Sequence, residues 1–185
     1  MTIFKGKSNM KNILLYLAVT LSLLILAGCG GGGGGTTVQN NTPPAKTTAS
    51  LTISQTGSLP ASKTISGADF TITLPANVTP ALTNGLVANG VVTLTGTFAG
   101  GTLAPQVVYT PATANALGTL KVILASSVSA GLTQTGEVAT ITLQLASGAV
   151  PTASSFVVSS DSVIDATLYA PITGMNIVVA NVVLQ

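Results

Sequence analysis

The amino-acid sequence predicts an all-β fold, an antiparallel jelly-roll β-sandwich of about eight or nine strands. From residue 51 onward the apolar residues recur with a period of two, which is typical of strands that bury one face. Turn-forming pairs such as Asn84-Gly85 and Thr135-Gly136 divide these segments at short intervals. Because no segment in this region has helical spacing over more than a turn or two, long helices are not expected.

Four segments alternate most clearly, and each is expected to turn its apolar residues toward the core. They are Asp69–Leu74, Val92–Thr95, Thr119–Leu124 and Val138–Leu145. In the last of these, Ala139 and Ile141 are expected to face the core, while Val138 and Thr140 are expected to face solvent.

Shorter strands are predicted at Leu51–Ser54, Gln106–Thr110 and Ser155–Ser159. A final run, Met175–Leu184, breaks strict alternation, which predicts either a bulge or cover on both faces. The predicted folded domain therefore spans residues 51–185.

The first 28 residues have the pattern of an export signal. Lys5, Lys7 and Lys11 precede an uncharged, mostly apolar run from Ile13 to Leu26. This run is shorter than the ~20 residues that a helix needs to cross the hydrocarbon core of a bilayer. We therefore interpret residues 1–28 as a signal helix that is removed, not as a membrane span.

The signal ends in the tetrapeptide Leu26-Ala27-Gly28-Cys29. This tetrapeptide resembles the lipobox of bacterial lipoproteins. The resemblance implies that a signal peptidase recognises Leu26, Ala27 and Gly28 and cleaves before Cys29, whose thiol and new amino terminus carry lipid. Because Gly30 and not Asp follows Cys29, the resemblance also implies a cell-envelope protein anchored in the outer membrane.

Residues 29–50 are predicted to be a disordered tether. Six glycines, Gly30–Gly35, are followed by a Thr-, Asn- and Pro-rich stretch with almost no apolar residues. Such a composition cannot bury a core, and no strand or phosphate-binding Lys accompanies the glycines. The tether is expected to let the domain stand clear of the membrane.

The charge of the chain argues against nucleic-acid binding. Beyond residue 28 only Lys46, Lys63 and Lys121 are basic, and four acidic side chains oppose them. Neutralising several phosphates requires a cluster of basic side chains, which three scattered lysines do not provide.

Three segments carry a family resemblance. Gly118–Leu124, Gly136–Leu143 and the strand Phe156–Val158, which leads into Asp161 and Asp165, follow one another in the order and spacing of a cohesin domain. The resemblance covers residues 64–185. It implies a nine-stranded jelly roll related to carbohydrate-binding modules, without catalytic activity, that binds dockerin modules of cell-surface assemblies.

The residue types also argue against an enzyme. The chain has no His, and no Gly-x-Ser-x-Gly turn presents a serine nucleophile. We therefore expect no catalytic residues.

Two pairs of residues are candidates for ligand contact. Asp161 and Asp165 are the only close pair of carboxylates and form a candidate calcium site, although calcium needs further oxygen ligands. No other cofactor is indicated. Tyr109 and Tyr169 are candidate sugar contacts, because sugars stack on exposed aromatic faces.

Three functions remain open from the sequence. The first is a lipid-anchored module that binds another extracellular protein. The second is a carbohydrate-binding module for a polysaccharide, which requires Tyr109 and Tyr169 to share one exposed face. The third is an assembly subunit that pairs through uncharged edge strands.

Overall fold

The computed structural model of the chain describes residues 45–100 and 103–185. These residues form eleven strands and two short 3₁₀ turns, Gly96–Phe98 and Ala153–Ser155. The strands are β1 (Thr48–Thr56), β2 (Ile65–Thr73), β3 (Val78–Pro80), β4 (Leu82–Thr83), β5 (Leu86–Val87), β6 (Val92–Leu94), β7 (Gln106–Thr110), β8 (Thr119–Ala125), β9 (Glu137–Leu145), β10 (Val157–Asp165) and β11 (Asn176–Leu184).

Nine of these strands form the two main sheets of an antiparallel β-sandwich. The first sheet has the order β11-β1-β9-β3, with β6 also paired to β9, and the second has the order β10-β2-β8-β7. All the pairings are antiparallel. The predicted all-β class and antiparallel sandwich are therefore confirmed, with two further strands, β4 and β5, outside the two main sheets.

The core lies between the two sheets. Leu51, Ile53 and Ile141 of the first sheet and Phe70 and Ile72 of the second are all fully buried. Their intervening neighbours are mostly Thr and Ser, which face outward. Alternation of polar and apolar residues therefore decides which side of each strand is covered.

The first strand begins before the predicted domain boundary. β1 starts at Thr48, three residues earlier than the expected start at residue 51, so residues 48–50 are part of the sheet and not of the tether. Ala49 is fully buried and continues the inward series of Leu51 and Ile53. The prediction missed it because Ala contributes little hydrophobic signal.

Val138 is a second correction. It was expected to face solvent, yet it is fully buried. The register of β1 and β9 shifts at this point, where Ile53 pairs with Ala139 but Ser54 pairs with Glu137. The extra residue is a β-bulge, which turns the Val138 side chain away from its expected face.

The last strand contains the irregularity that its broken alternation indicated. Thr52 pairs with Asn181 while Ile53 pairs with Val179, so Ala180 is an extra residue in β11. Along the same pair of strands the ends of the domain meet, because the Thr47 and Thr48 N–H groups both donate to the Gln185 carbonyl, at 2.7 and 3.1 Å.

A small hairpin projects from one edge of the first sheet. β3 and β6 lie end to end along β9, and residues 81–90 leave the sheet between them. This segment, here called the flap, pairs β4 with β5 around Asn84-Gly85. Both turn residues have positive φ, 54° and 80°, as a type I′ hairpin turn requires.

Residues 43–185 form one compact unit. The whole described core falls within it, so this segment contains the apolar residues that it needs to fold on its own. In the part of the chain that the structure describes, no helix is long and apolar enough to span a membrane.

Candidate binding face

The outward surface of the second sheet is a regular array of side chains on four paired strands. Strand pairing brings four rows of side chains together across β7, β8, β2 and β10. We call this surface the open face. Its members are Gln106, Val108, Thr110, Thr119, Lys121, Ile123, Asp69, Thr71, Thr73, Val157 and Ser159.

Three apolar side chains stand exposed on the open face. Val108 is 61% exposed, Val157 57% and Ile123 40%. They lie on three different strands, β7, β10 and β8, and are separated by threonines. Together they give the open face three exposed apolar groups among small hydroxyl side chains.

The corresponding surface of the first sheet is more polar where β1 and β9 pair. Ser50 pairs with Thr142, and Thr52 pairs with Thr140. On the edge strand β11 of the same surface, Val183 lies opposite Ser50 and is 47% exposed.

One ion pair lies in the middle of the open face. The Lys121 ammonium is 3.3 Å from the Asp69 carboxylate, diagonally across β8 and β2. The two side chains are 49% and 33% exposed, so water screens the pair and its contribution to stability is small. The pair instead provides a donor and an acceptor on an otherwise uncharged surface.

Asp161 connects the two sheets. Its carboxylate accepts a hydrogen bond of 2.7 Å from the Ile177 N–H at the start of β11. β11 is an edge strand of the first sheet, so this N–H has no strand beside it. Asp161 therefore satisfies an edge donor, which is a structural role.

Asp165 is almost completely buried, and both of its carboxylate oxygens have partners. One oxygen accepts from the Lys63 ammonium, and the other accepts from the Thr167 N–H at 2.8 Å. The Lys63 contact, followed by the Thr167 N–H, holds the pKa of Asp165 below its ordinary value. The carboxylate is thus ionised and already neutralised by a cation.

The structure does not combine Asp161 and Asp165 with further metal ligands. Across residues 45–100 and 103–185, no group of three or more His, Cys, Asp or Glu side chains is arranged to hold a metal ion. Asp161 accepts from the Ile177 N–H and Asp165 is paired with Lys63, so each carboxylate already has a partner within the fold.

The two candidate tyrosines lie at opposite corners of the second sheet. The register places Tyr109 level with Val158 near the start of β10, whereas Tyr169 follows Asp165 at the end of β10. Seven residues along the strands and three strand spacings across them separate the two positions, roughly 23 Å by 14 Å. They do not form one sugar-stacking platform.

Their environments also differ. Tyr109 packs partly buried against the core, whereas Tyr169 is 78% exposed in the turn after β10. Phe70 and Phe156 are buried, as the alternation predicted, and Phe98 is buried as well. The four residues of the lipobox-like motif, Leu26, Ala27, Gly28 and Cys29, lie outside the described residues.

The sequence predicts the open face only in part. Alternation predicts that every second residue of Gln106–Thr110 and of Thr119–Leu124 faces outward. It does not show which of the neighbouring residues Val107 and Val108 is the exposed one. The order of strands across the sheet, which brings Val108, Ile123 and Val157 onto one surface, is set by long-range pairing.

No protein-family model, no curated protein and no solved structure was found to match the chain.

Proposed function

We propose that this chain is a lipid-anchored, non-catalytic protein of the bacterial cell envelope, whose β-sandwich binds another extracellular protein through the open face. The observation that carries the proposal is the surface formed by Val108, Ile123 and Val157 around the Lys121–Asp69 ion pair. The cohesin-like segments and the sandwich fold support a binding role.

The anchor in this proposal is the lipid on Cys29, at the outer membrane. The lipobox-like tetrapeptide and the apolar run before it support the anchor. The test is metabolic labelling of the full chain with a radioactive or alkyne-bearing fatty acid. We expect label on the full chain and none on Cys29→Ser, which should also leave the membrane fraction; equal labelling of both chains would contradict the anchor.

A small apolar surface suits protein contact because partner side chains exclude water from it while polar neighbours form hydrogen bonds. Ile123 lies directly opposite Asp69, next to Lys121. Ile123→Lys should therefore keep the fold, since the new ammonium faces a carboxylate, while removing an apolar contact from the centre of the face.

The binding test uses residues 43–185 as bait for proteins released from the cell surface, with and without calcium. We expect the unmodified domain to retain a specific protein that Ile123→Lys fails to retain. Thr142→Lys is the matched control, because Thr142 is exposed on the outer surface of the first sheet and its substitution should leave binding intact. Retention of polysaccharide alone, or equal loss with both variants, would contradict the proposal.

A further inference from the structure

β7 has an unpaired edge. It is the last strand of the second sheet and pairs only with β8 among the described strands. The Leu74 N–H donates to the Gly118 carbonyl and the Ser126 N–H donates to the Ser66 carbonyl, so even-numbered residues of β8 bond to β2. The odd-numbered residues of β8 therefore bond to β7.

This alternation fixes which backbone groups of β7 are free. Val108 is opposite Lys121, an odd-numbered residue, so its N–H and C=O point toward β8. The N–H and C=O groups of Val107 and Tyr109 consequently point away from the sheet, toward the open edge.

Two prolines limit this edge on both sides. The next residues with outward-pointing groups are positions 105 and 111, and both are proline, which has no N–H. The outward edge of β7 therefore presents two N–H donors, on Val107 and Tyr109. Prolines at both ends prevent a longer ladder.

The edge is also symmetric about Val108. Pro105 and Pro111 lie three residues on either side of it, Gln106 and Thr110 two residues, and Val107 and Tyr109 one residue. An antiparallel pair of two such strands, related by a twofold axis at Val108, places Val107 of each copy opposite Tyr109 of the other.

We propose that β7 pairs antiparallel with β7 of a second copy of this chain, in the register centred on Val108. In this register the N–H and C=O groups of Val107 and Tyr109 all find partners, because the two residues exchange two hydrogen bonds at each of two positions. A shift by one residue places these groups opposite ones that point toward β8, and a shift by two leaves the carbonyl of Val107 or Tyr109 opposite a proline, which has no N–H.

The side chains fit this occupant. The two copies of Val108, each 61% exposed in one copy alone, meet at the axis, and Gln106 stands beside Thr110 of the second copy. β7 carries no charge, and the neighbouring Lys121 is paired with Asp69. Nothing on the strand repels its own copy.

The flap lies beside β7. Leu86 and Val87 of the flap line a groove of about 270 Å³ together with Pro105 and Val107. A second strand at this edge would therefore also contact the flap.

The first test is cysteine cross-linking of residues 43–185, a segment with no cysteine of its own. In a non-hydrogen-bonded antiparallel pair the Cα atoms are about 4.5 Å apart, within the range of a disulfide. Val108→Cys should therefore form a disulfide-linked dimer under mild oxidation. Gln106→Cys should form no such dimer, because the two copies of position 106 would be roughly 13 Å apart along the strands. The double variant Gln106→Cys with Thr110→Cys should form it, because position 106 of one copy lies opposite position 110 of the other.

The second test measures mass against concentration by sedimentation. The unmodified segment should shift from one copy toward two as its concentration rises, and Val108→Lys should weaken this association by roughly tenfold or more, because two ammonium groups would meet at the axis. Val157→Lys is the matched control, since Val157 is similarly exposed but lies on β10, and it should associate as the unmodified segment does.

Three results would each overturn the proposal: a monomer at every concentration, association that Val108→Lys leaves unchanged, or cross-linking by Gln106→Cys as fast as by Val108→Cys. Because no other protein is present in these measurements, their outcome is independent of whether the open face binds an extracellular partner.

Discussion

Lys63 and Asp165, which are 102 residues apart in the sequence, form an ion pair that ties the segment before β2 to the end of β10. Ser66 strengthens the same junction, because its hydroxyl donates to the carbonyls of Ile164 and Asp165 at 3.3 Å. This junction holds one end of the sandwich together.

The pair predicts a loss of stability in acid. A carboxyl group whose pKa is lowered by folding contributes stability above its unfolded pKa of about 3.9, and this contribution disappears as the pH falls through the lower folded pKa. Asp165 is such a group, with Lys63 as the main cause. Lys63→Met should lower the free energy of unfolding at pH 7 and reduce its dependence on pH below about 4.

Urea unfolding at pH 7 and at pH 3 measures both effects. Lys121→Met is the control, because it breaks the exposed pair with Asp69 and should change stability by no more than about 0.5 kcal/mol. Equal changes in the free energy of unfolding for the two substitutions would contradict the expectation that the Lys63–Asp165 pair contributes more to stability than the exposed pair.

Replacement by Ala is expected to lower the free energy of unfolding by different amounts at Gly57 and at Gly174. Both have positive φ, 96° and 83°, but a Cβ on Gly57 would lie 2.1 Å from the Gly174 carbonyl oxygen, whereas a Cβ on Gly174 meets nothing within 4 Å. Gly174→Ala should cost about 1 kcal/mol for the backbone conformation alone. Gly57→Ala should cost about 3 kcal/mol or more, since backbone must also move. Denaturant unfolding would contradict this view if the two costs were equal.

Replacing Gln55 by an apolar residue of the same length is expected to stabilise the domain. The Gln55 side chain is 5% exposed on the inner face of β1, and neither its amide nitrogen nor its amide oxygen has a hydrogen-bond partner in the described part of the chain. Gln55→Met keeps the length of the side chain and removes the unsatisfied groups, so we expect a gain of about 1 kcal/mol in the free energy of unfolding. A lower melting temperature for Gln55→Met would refute the expectation; Gln144→Met, on the exposed outer face of β9, is the neutral comparison.

A substitution of Tyr169 is expected to relieve strain in the backbone. This residue has φ of 51°, a conformation that bulky residues rarely adopt, in a turn where the Tyr169 N–H donates to the Asp165 carbonyl. Because its side chain is exposed, Tyr169→Asn should stabilise the domain by up to about 1 kcal/mol, while Tyr169→Val should destabilise it. Thermal unfolding of the two variants distinguishes strain from a packing role, in which both substitutions would destabilise.

The sequence predicted the strands whose two faces differ, such as Asp69–Leu74 and Thr119–Leu124, because burial on one side leaves a period of two. It did not predict the inward turn of Val138, since a bulge shifts the period by one residue and depends on the partner strand. The flap was also missed. Its strands are two residues long, too short for any period, although the Asn84-Gly85 turn was recognised.

The candidate site was less predictable than the fold. Asp161 and Asp165 were recognised as a pair by their spacing, but their partners, the Ile177 N–H and Lys63, come from distant parts of the chain. Likewise, the edge position of β7 depends on which strands neighbour β8, and local sequence does not carry this information.

The hydrogen bonds from Thr47 and Thr48 to Gln185 make the domain nearly a closed ring of chain. A short peptide that joins Gln185 to Thr47 would bridge groups already in contact, and a cut between Asn84 and Gly85 would open the ring at an exposed turn outside both main sheets. Such a permuted chain would keep all nine strands of the sandwich in place while its new ends emerged from the flap.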